Sequence, residues 1–250
     1  NHTIARDDAN LILERQEIFL TVPASFDAVA RELTVKAAAI AQLPDITLLE
    51  EPQAAFYAWI VASGDSWREA VRPGDLVLVC DLGGGTSDFS LIRVSDVSGN
   101  LELERIAVGN HILIGGDNMD LALAYAVAKQ MAAAGQKLDS WQMRALWHTC
   151  RSAKEKILAS SDAAVVPISV LGRGSSLIGG TLKTELSRDV VEQVIVEGFF
   201  PFCEPESRPQ TGPRTGIQET GLAYEADPAV TRHLAQFLSR QDDRPRELPT

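Results

Sequence analysis

The sequence predicts an α/β fold in two unequal parts, and three observations carry that expectation. Residues 1–62 alternate β-rich runs with helical periodicity, in the order strand, helix, strand, helix. Residues 63–73 break the pattern with a polar stretch that holds Gly64 and Pro73, the composition of a linker. Residues 74–250 open on three β-rich runs and continue into amphipathic helices, the mixture that packs as sheet and helix layers around one core.

The elements follow in order. Glu17–Val22 (EIFLTV) is rich in β-forming residues and stops at Pro23, which predicts a strand closed by a turn. From Phe26 to Leu43 the apolar residues Val29, Leu33, Ala37, Ile40 and Ala41 recur at helical spacing. Asp27 is placed to cap that helix, because a short carboxylate accepts an orphan backbone N–H. Ile46–Leu49 is a short strand. Pro52 then opens a helix over Gln53–Val61, since proline's missing N–H is harmless in a first turn. Leu76–Cys80 is a continuous apolar run, the pattern of a strand covered on both faces. Beyond the turn Gly83-Gly84-Gly85-Thr86, Asp88–Val94 is a second strand and Leu101–Val108 an alternating third, together an antiparallel meander.

A helix follows Gly115-Gly116-Asp117, from about Asn118 to Ala134. Trp141–Ala159 is another, with Trp141, Ala145, Leu146, Ala153, Ile157 and Leu158 as its buried side. Val165–Leu171 and Ser175–Leu182 predict a β-hairpin. Arg188–Phe202 is a helix with Val190, Val191, Val194, Ile195 and Phe199 on its apolar stripe. Glu204–Gly216 reads as loop, Asp227–Gln241 as helix, and the charged tail as a frayed end. No repeat of solenoid length is present.

Composition narrows the functions. A formal net charge of -11, with no cluster of Lys and Arg, argues against a nucleic-acid partner. The helical run Leu121–Ala134 carries Lys129 and Gln130, so no stretch suits a membrane span. Asn1–Asn10 is polar and includes Arg6, Asp7 and Asp8, unlike a signal peptide. Three dispersed cysteines, Cys80, Cys150 and Cys203, make neither a disulfide framework nor a zinc site and read as buried free thiols in a reducing cytoplasm. The sequence starts without Met and reads as a segment of a longer protein.

The strongest chemical signal is Leu76–Val94, LVLVCDLGGGTSDFSLIRV. A strand delivers Asp81 to its end. Gly83, Gly84 and Gly85 then expose backbone N–H groups where side chains would bar an anion, and Thr86 adds a hydroxyl. This suits a phosphate, with Asp81 placed to hold Mg²⁺ through water or to orient an attacking water. A Walker A loop would need Gly-Lys-Ser/Thr, and a dinucleotide loop would be followed by a helix, whereas FSLIRV is β-rich. A structural glycine hairpin remains the alternative for these residues taken alone.

Their neighbours point further. A strand–GGGT–strand hairpin with a leading Asp resembles the second phosphate loop of the actin-like ATPases. Val22-Pro23-Ala24-Ser25-Phe26 followed by Arg31 resembles the VPA-x-F…R segment of DnaK-type (heat shock protein 70) chaperones. Leu49-Glu50-Glu51-Pro52 with Ala54-Ala55, Gly115-Gly116-Asp117-Asn118-Met119-Asp120, and Ala153-Lys154-Glu155 before Ile157 resemble three further segments of that family, in the family's order over about residues 17–200.

The resemblance implies the actin-like, ribonuclease H-like fold. Residues 1–62 would be the C-terminal part of the first lobe and 63–73 a linker. Residues 74–250 would be most of the second lobe, with its core in 74–113 and 187–250 and an inserted α+β subdomain in 114–186. It also implies binding of ATP and ADP with Mg²⁺. Glu51 and Asp81 would flank the γ-phosphate; Gly83, Gly84, Gly85, Thr86, Gly115 and Gly116 would face the phosphates; and Lys154 would reach the adenosine. Pro23 and Arg31 would couple nucleotide state to a peptide-binding domain, with co-chaperones as further partners.

The sequence departs from the family at Glu155 and Leu158, where adenosine contacts are expected, and over Gly216–Leu238. The family's first phosphate loop, its downstream Lys and its GGxxR loop do not appear. The segment alone is therefore expected not to turn over ATP. Two other readings stand beside it: a filament-forming bacterial actin of the MreB kind, which shares several of these motifs, and a non-enzymatic nucleotide-sensing module, which the departures at Glu155, Leu158 and Gly216–Leu238 allow.

Overall fold

The computed structural model describes residues 8–43, 45–97, 100–172, 180–211 and 225–242. The chain divides into two compact units, one of Asn1–Asp81 with Asp88–His111 and one of Leu82–Ser87 with Ile112–Thr250.

In the first unit, β1 (Ile18–Val22) and β2 (Ile46–Glu50) pair in parallel, with Ile18 opposite Ile46 and Val22 opposite Glu50. A parallel pair needs a crossover, and α1 (Ala28–Ile40) supplies it. Asp27 caps α1 as its residue type suggested, accepting the Ala30 N–H at 2.8 Å. The helix ends at Gln42, whose φ of 65° lets the Leu43 N–H reach the Ala38 carbonyl at 2.9 Å. α2 (Glu51–Ser63) starts directly from β2, with Pro52 in its first turn and Phe56 buried. The expected linker carries a 3₁₀ turn (Gly64–Ser66) and a short α3 (Trp67–Ala70).

A sheet of β3 (Leu76–Leu82), β4 (Ser87–Val97) and β5 (Asn100–Val108) follows in that order, with β4 and β5 antiparallel. Phe89, Ile92 and Val94 of β4 form its buried centre.

One expectation for this unit fails, the covering of β3. The periodic stripe of α1 is largely uncovered: Val29, Leu33 and Ile40 are exposed, Ile40 by 85%, and Ala38 is the helix residue that is buried. A two-stranded sheet offers too little area to cover a helix, and Phe19 of β1 is itself 56% exposed. β3 is not covered on both faces. It is an edge strand whose residues alternate between exposed and half-buried.

In the second unit, α4 (Gly116–Ala133) packs on α5 (Ser140–Ala159), burying Leu121, Leu123, Ala124 and Val127 from one and Leu146, Cys150, Ala153 and Ile157 from the other. The α5 residues recur every three or four positions, a single helical stripe. Trp141 and Leu158, expected on that side, fall off the stripe and are 41% and 49% exposed. Gln142 is buried instead. Its side chain completes a capping box with Asp139 and donates to the Leu171 carbonyl at 3.1 Å.

β6 (Val165–Val170) pairs antiparallel with β7 (Leu182–Ser187). The hairpin exists, but its second strand is Leu182–Ser187; most of the expected Ser175–Leu182 lies outside the described residues. Helical backbone then runs through α6 (Arg188–Val191), a π turn (Glu192–Val196) and α7 (Glu197–Phe199), burying Val191, Ile195 and Phe199. Residues 204–211 have no regular structure, 212–224 and 243–250 lie outside the described residues, and α8 (Val230–Asp242) closes the unit.

The cysteines are not uniformly buried. Cys150 is, and burial together with Asp120 pushes its thiol up to about 12; Cys80 is exposed and Cys203 half-buried. Among the described residues no helix is long and apolar enough to cross a membrane.

Candidate functional site

The glycine hairpin and the glycine pair before α4 are laced together inside the second unit. The Gly83 N–H donates to the Thr86 carbonyl at 2.8 Å, leaving Gly84 and Gly85 as the tip. The Gly116 and Asp117 N–H groups donate to the Gly83 and Gly84 carbonyls at 2.9 and 2.7 Å. Ser87 exchanges backbone bonds with Ile112, and its buried hydroxyl donates to the Ile114 carbonyl at 2.7 Å.

Gly115 adopts ordinary extended backbone, so its type is set by crowding: a Cβ there would fall 2.5 Å from the Gly84 carbonyl carbon and 2.7 Å from the Gly83 oxygen. Its own N–H is held by the Asn118 side chain at 2.8 Å. The two glycines expected to face phosphate from a helix end thus have engaged N–H groups. What they contribute is close backbone approach.

The open donors lie one loop away. Among the described residues, no protein acceptor engages the N–H groups of Gly84, Gly85 or Thr86, and a Cβ on Gly85 would meet nothing within 4 Å. Successive unengaged N–H groups on an exposed loop are donors that an anion can use.

A charge network borders this loop. Asp117 and Asp120 stand three residues apart on α4, and Arg151 and Lys154 three apart on α5. Arg151 reaches Asp117 at 2.8 Å and Asp120 at 2.9 Å, and the Lys154 ammonium lies 2.6 Å from Asp120, which is 1% exposed. A buried carboxylate needs such partners to remain charged. Lys154, expected at the adenosine, has its ammonium on Asp120. The sequence reading passed over Arg151 and gave Asp120 no role. The pairing joins residues more than 30 positions apart and is made by α4 packing on α5, which local sequence pattern does not show.

The first unit holds a separate acidic cluster. Glu51 stands in the first turn of α2, Asp81 near the end of β3, and Asp88 in β4, with His111 just past β5. His111 Nδ1 lies 2.9 Å from Asp88 Oδ1. Burial raises the Glu51 pKa first, Asp81 and Asp88 raise it further by like charge, and His111 opposes them. The two carboxylates named from sequence are therefore close enough to sense each other. Asp88 and His111 were missed, although Asp88 closes the D-L-G-G-G-T-S-D run symmetrically with Asp81. Among the described residues no three His, Cys, Asp or Glu side chains gather as direct metal ligands.

Beside this cluster, Glu50 takes both Arg31, at 2.7 Å, and Arg105. Arg31 also donates to the Phe26 carbonyl at 3.2 Å, in the turn that the Phe26 N–H closes onto the Pro23 carbonyl at 3.1 Å. Arg31 is thus tied to both β2 and the Pro23 turn. Glu50 and Arg105 carried no expectation.

Comparison with known proteins bears on most of the chain. The model of the Hsp70 protein family matches residues 5–205. The chain belongs to the Hsp70 family. The match takes in the Pro23 turn, the glycine hairpin, the α4 start and the α5 charge pairs, and it bears out the resemblance read from the motifs. The Hsp70 family implies the actin-like fold, and the mixed sheets and helices seen here conform to it. The chaperone protein HscA homolog of Pseudomonas putida is 34% identical over 226 residues, 90% of this chain and 31% of that protein. The chaperone protein HscA of Salmonella arizonae is 37% identical over 168 residues, 67% of this chain and 25% of that protein. The chain thus spans about a third or less of the curated relatives it matches. Hsp70 similarity at this level marks a divergent branch, and α8 lies beyond the span that the family model matches.

Proposed function

We propose that this chain is the ATP-binding part of a DnaK-like chaperone, and that the glycine hairpin is its phosphate contact. One observation carries the reading: Gly84, Gly85 and Thr86 present three unengaged N–H donors on an exposed tip, open at Gly85 and held by a backbone weld at Gly115–Asp117. These residues fit a phosphate group. Bound Mg·ATP supplies the phosphoanhydride bond to be broken; the chain's own residues supply position and charge. The hairpin donors would hold phosphate oxygens. Asp81 would orient a magnesium-bound or attacking water, and Glu51, whose raised pKa leaves it readier to carry a proton, would sit in the same water network.

On this reading residues 1–62 belong to one lobe of a nucleotide clamp and 74–250 to the other, joined by 63–73. The exposed apolar residues of α1 and β1 suit cover by more first-lobe sheet. Pro23 and Arg31 would pass nucleotide state to a peptide-binding domain and co-chaperones, in the cytoplasm. Half a clamp is expected to bind nucleotide weakly and not to turn it over. The Hsp70 match sets the MreB-like reading aside. A non-enzymatic nucleotide sensor keeps one supporting observation, the engagement of Lys154 by Asp120.

Calorimetric titration of Mg·ATP into this chain and into Gly85→Val tests the reading. Binding by the parent chain, lost in a folded Gly85→Val, is expected. Absence of binding by the parent, or equal binding by both, refutes it. Magnesium-dependent phosphate release by this chain, abolished by Asp81→Asn, would overturn the expectation that it is inactive alone.

A further inference from the structure

We propose that Arg151 is a positioning residue that makes the glycine hairpin hospitable to phosphate by neutralising Asp117; this rests on the phosphate reading above. The difficulty it resolves is one of sign. The Asp117 N–H binds the Gly84 carbonyl at 2.7 Å, which brings the Asp117 carboxylate against the hairpin tip: a Cβ on Gly84 would lie 3.5 Å from Oδ2. The Gly84 N–H is one of the three open donors. A bare carboxylate there would repel the anion those donors are arranged to hold.

The geometry answers this with Arg151. Its guanidinium reaches Asp117 through Nη2 at 2.8 Å while Nε stays on Asp120 at 2.9 Å. A planar fork can serve two carboxylates at once, as an ammonium cannot. Lys154 takes the other Asp120 oxygen at 2.6 Å, so two carboxylates meet two cations and the hairpin faces a neutral wall. The burial differs along the network. Asp120 is enclosed and anchors the cations, while Asp117 and Arg151 are partly exposed, at the end where a ligand would enter. Arg151 also lies one helical turn before Lys154 on α5, so α4–α5 packing sets its reach.

The prediction has a sign pattern that damage to the fold would not produce. Mg·ADP is titrated by calorimetry into the parent chain, Arg151→Ala, Asp117→Asn and the double variant Arg151→Ala/Asp117→Asn, with melting curves run beside each. Arg151→Ala is expected to bind about tenfold more weakly, the scale of one partly exposed charge pair. Asp117→Asn alone is expected to bind as tightly as the parent or tighter. The double variant is expected to return to within about threefold of the parent, and the defect of Arg151→Ala to shrink in high salt. Arg151→Lys, which keeps the charge, should lose less than Arg151→Ala.

Equal binding by Arg151→Ala and the parent overturns the proposal. So does a double variant as weak as Arg151→Ala, which would mean that Arg151 touches the nucleotide directly. Should Arg151→Ala fail to fold, weakened binding by a well-folded Asp117→Asn overturns it instead. No binding by the parent chain removes both this proposal and the phosphate reading, whereas parent binding with the wrong variant order removes this proposal alone.

Discussion

Gly115→Ala should be the most damaging single-methyl change near the hairpin. The added Cβ would meet backbone, the Gly84 carbonyl carbon at 2.5 Å and the Gly83 oxygen at 2.7 Å, so no side-chain rotation relieves it. The loops must separate, which removes the Gly116-to-Gly83 and Asp117-to-Gly84 hydrogen bonds, now 2.9 and 2.7 Å. Two backbone bonds are worth about 1 kcal/mol each, overpacking adds about 1–3 kcal/mol, and the lost freedom of the unfolded glycine returns about 0.5 kcal/mol. The expected destabilisation is about 3 kcal/mol. Urea unfolding followed by tryptophan fluorescence, with Trp141 and Trp147 reporting on the second unit, measures it as a lower midpoint at unchanged slope. Gly85→Ala is the control, since its Cβ would meet nothing, and it should lie within about 0.5 kcal/mol of the parent. A Gly115→Ala midpoint matching that control would refute the close-approach argument.

Three other outcomes are expected. Gln42→Gly should raise stability by about 0.5–1 kcal/mol, because Gln42 holds a φ of 65° that glycine adopts without strain; a lower melting temperature would contradict this. For Asp227, burial alone would raise the pKa, but the Gln210 and Ala229 N–H groups and Arg232 outweigh it and hold it below 3.8. Its contribution is therefore present above 3.8 and lost as pH falls through the folded value, so the gap between the parent and Asp227→Asn should narrow in acid; a gap independent of pH would refute the assignment. Glu51 has the opposite sign, its folded pKa lying above 4.5, so folding is favoured while it is protonated and that advantage is lost as pH rises through the folded value. Glu51→Gln should flatten this part of the stability profile, and an unchanged profile would sink the claim.

Much of the local structure was legible in the chain. Asp27 and Pro52 announced helix starts through backbone chemistry confined to one turn, and periodicity placed α4, α5 and the β4–β5 meander within a few residues. The glycine motifs were legible too, since crowding and open donors favour the same residue. Burial was not, because periodicity says that a face is apolar and not whether anything covers it. Hence α1 kept its stripe and exposed it, while β3 turned out to be an edge. Nor could the sequence pair charges distant in the chain. Asp120 looked like a motif letter, and Arg151 and Lys154 like helix-surface cations, until α4 packed on α5 and made them one network. Residue type and spacing determined what this chain contains, the hairpin, the caps and the family. Tertiary packing alone decided which N–H groups stay open and which charges cancel, because both depend on neighbours brought together only by the fold.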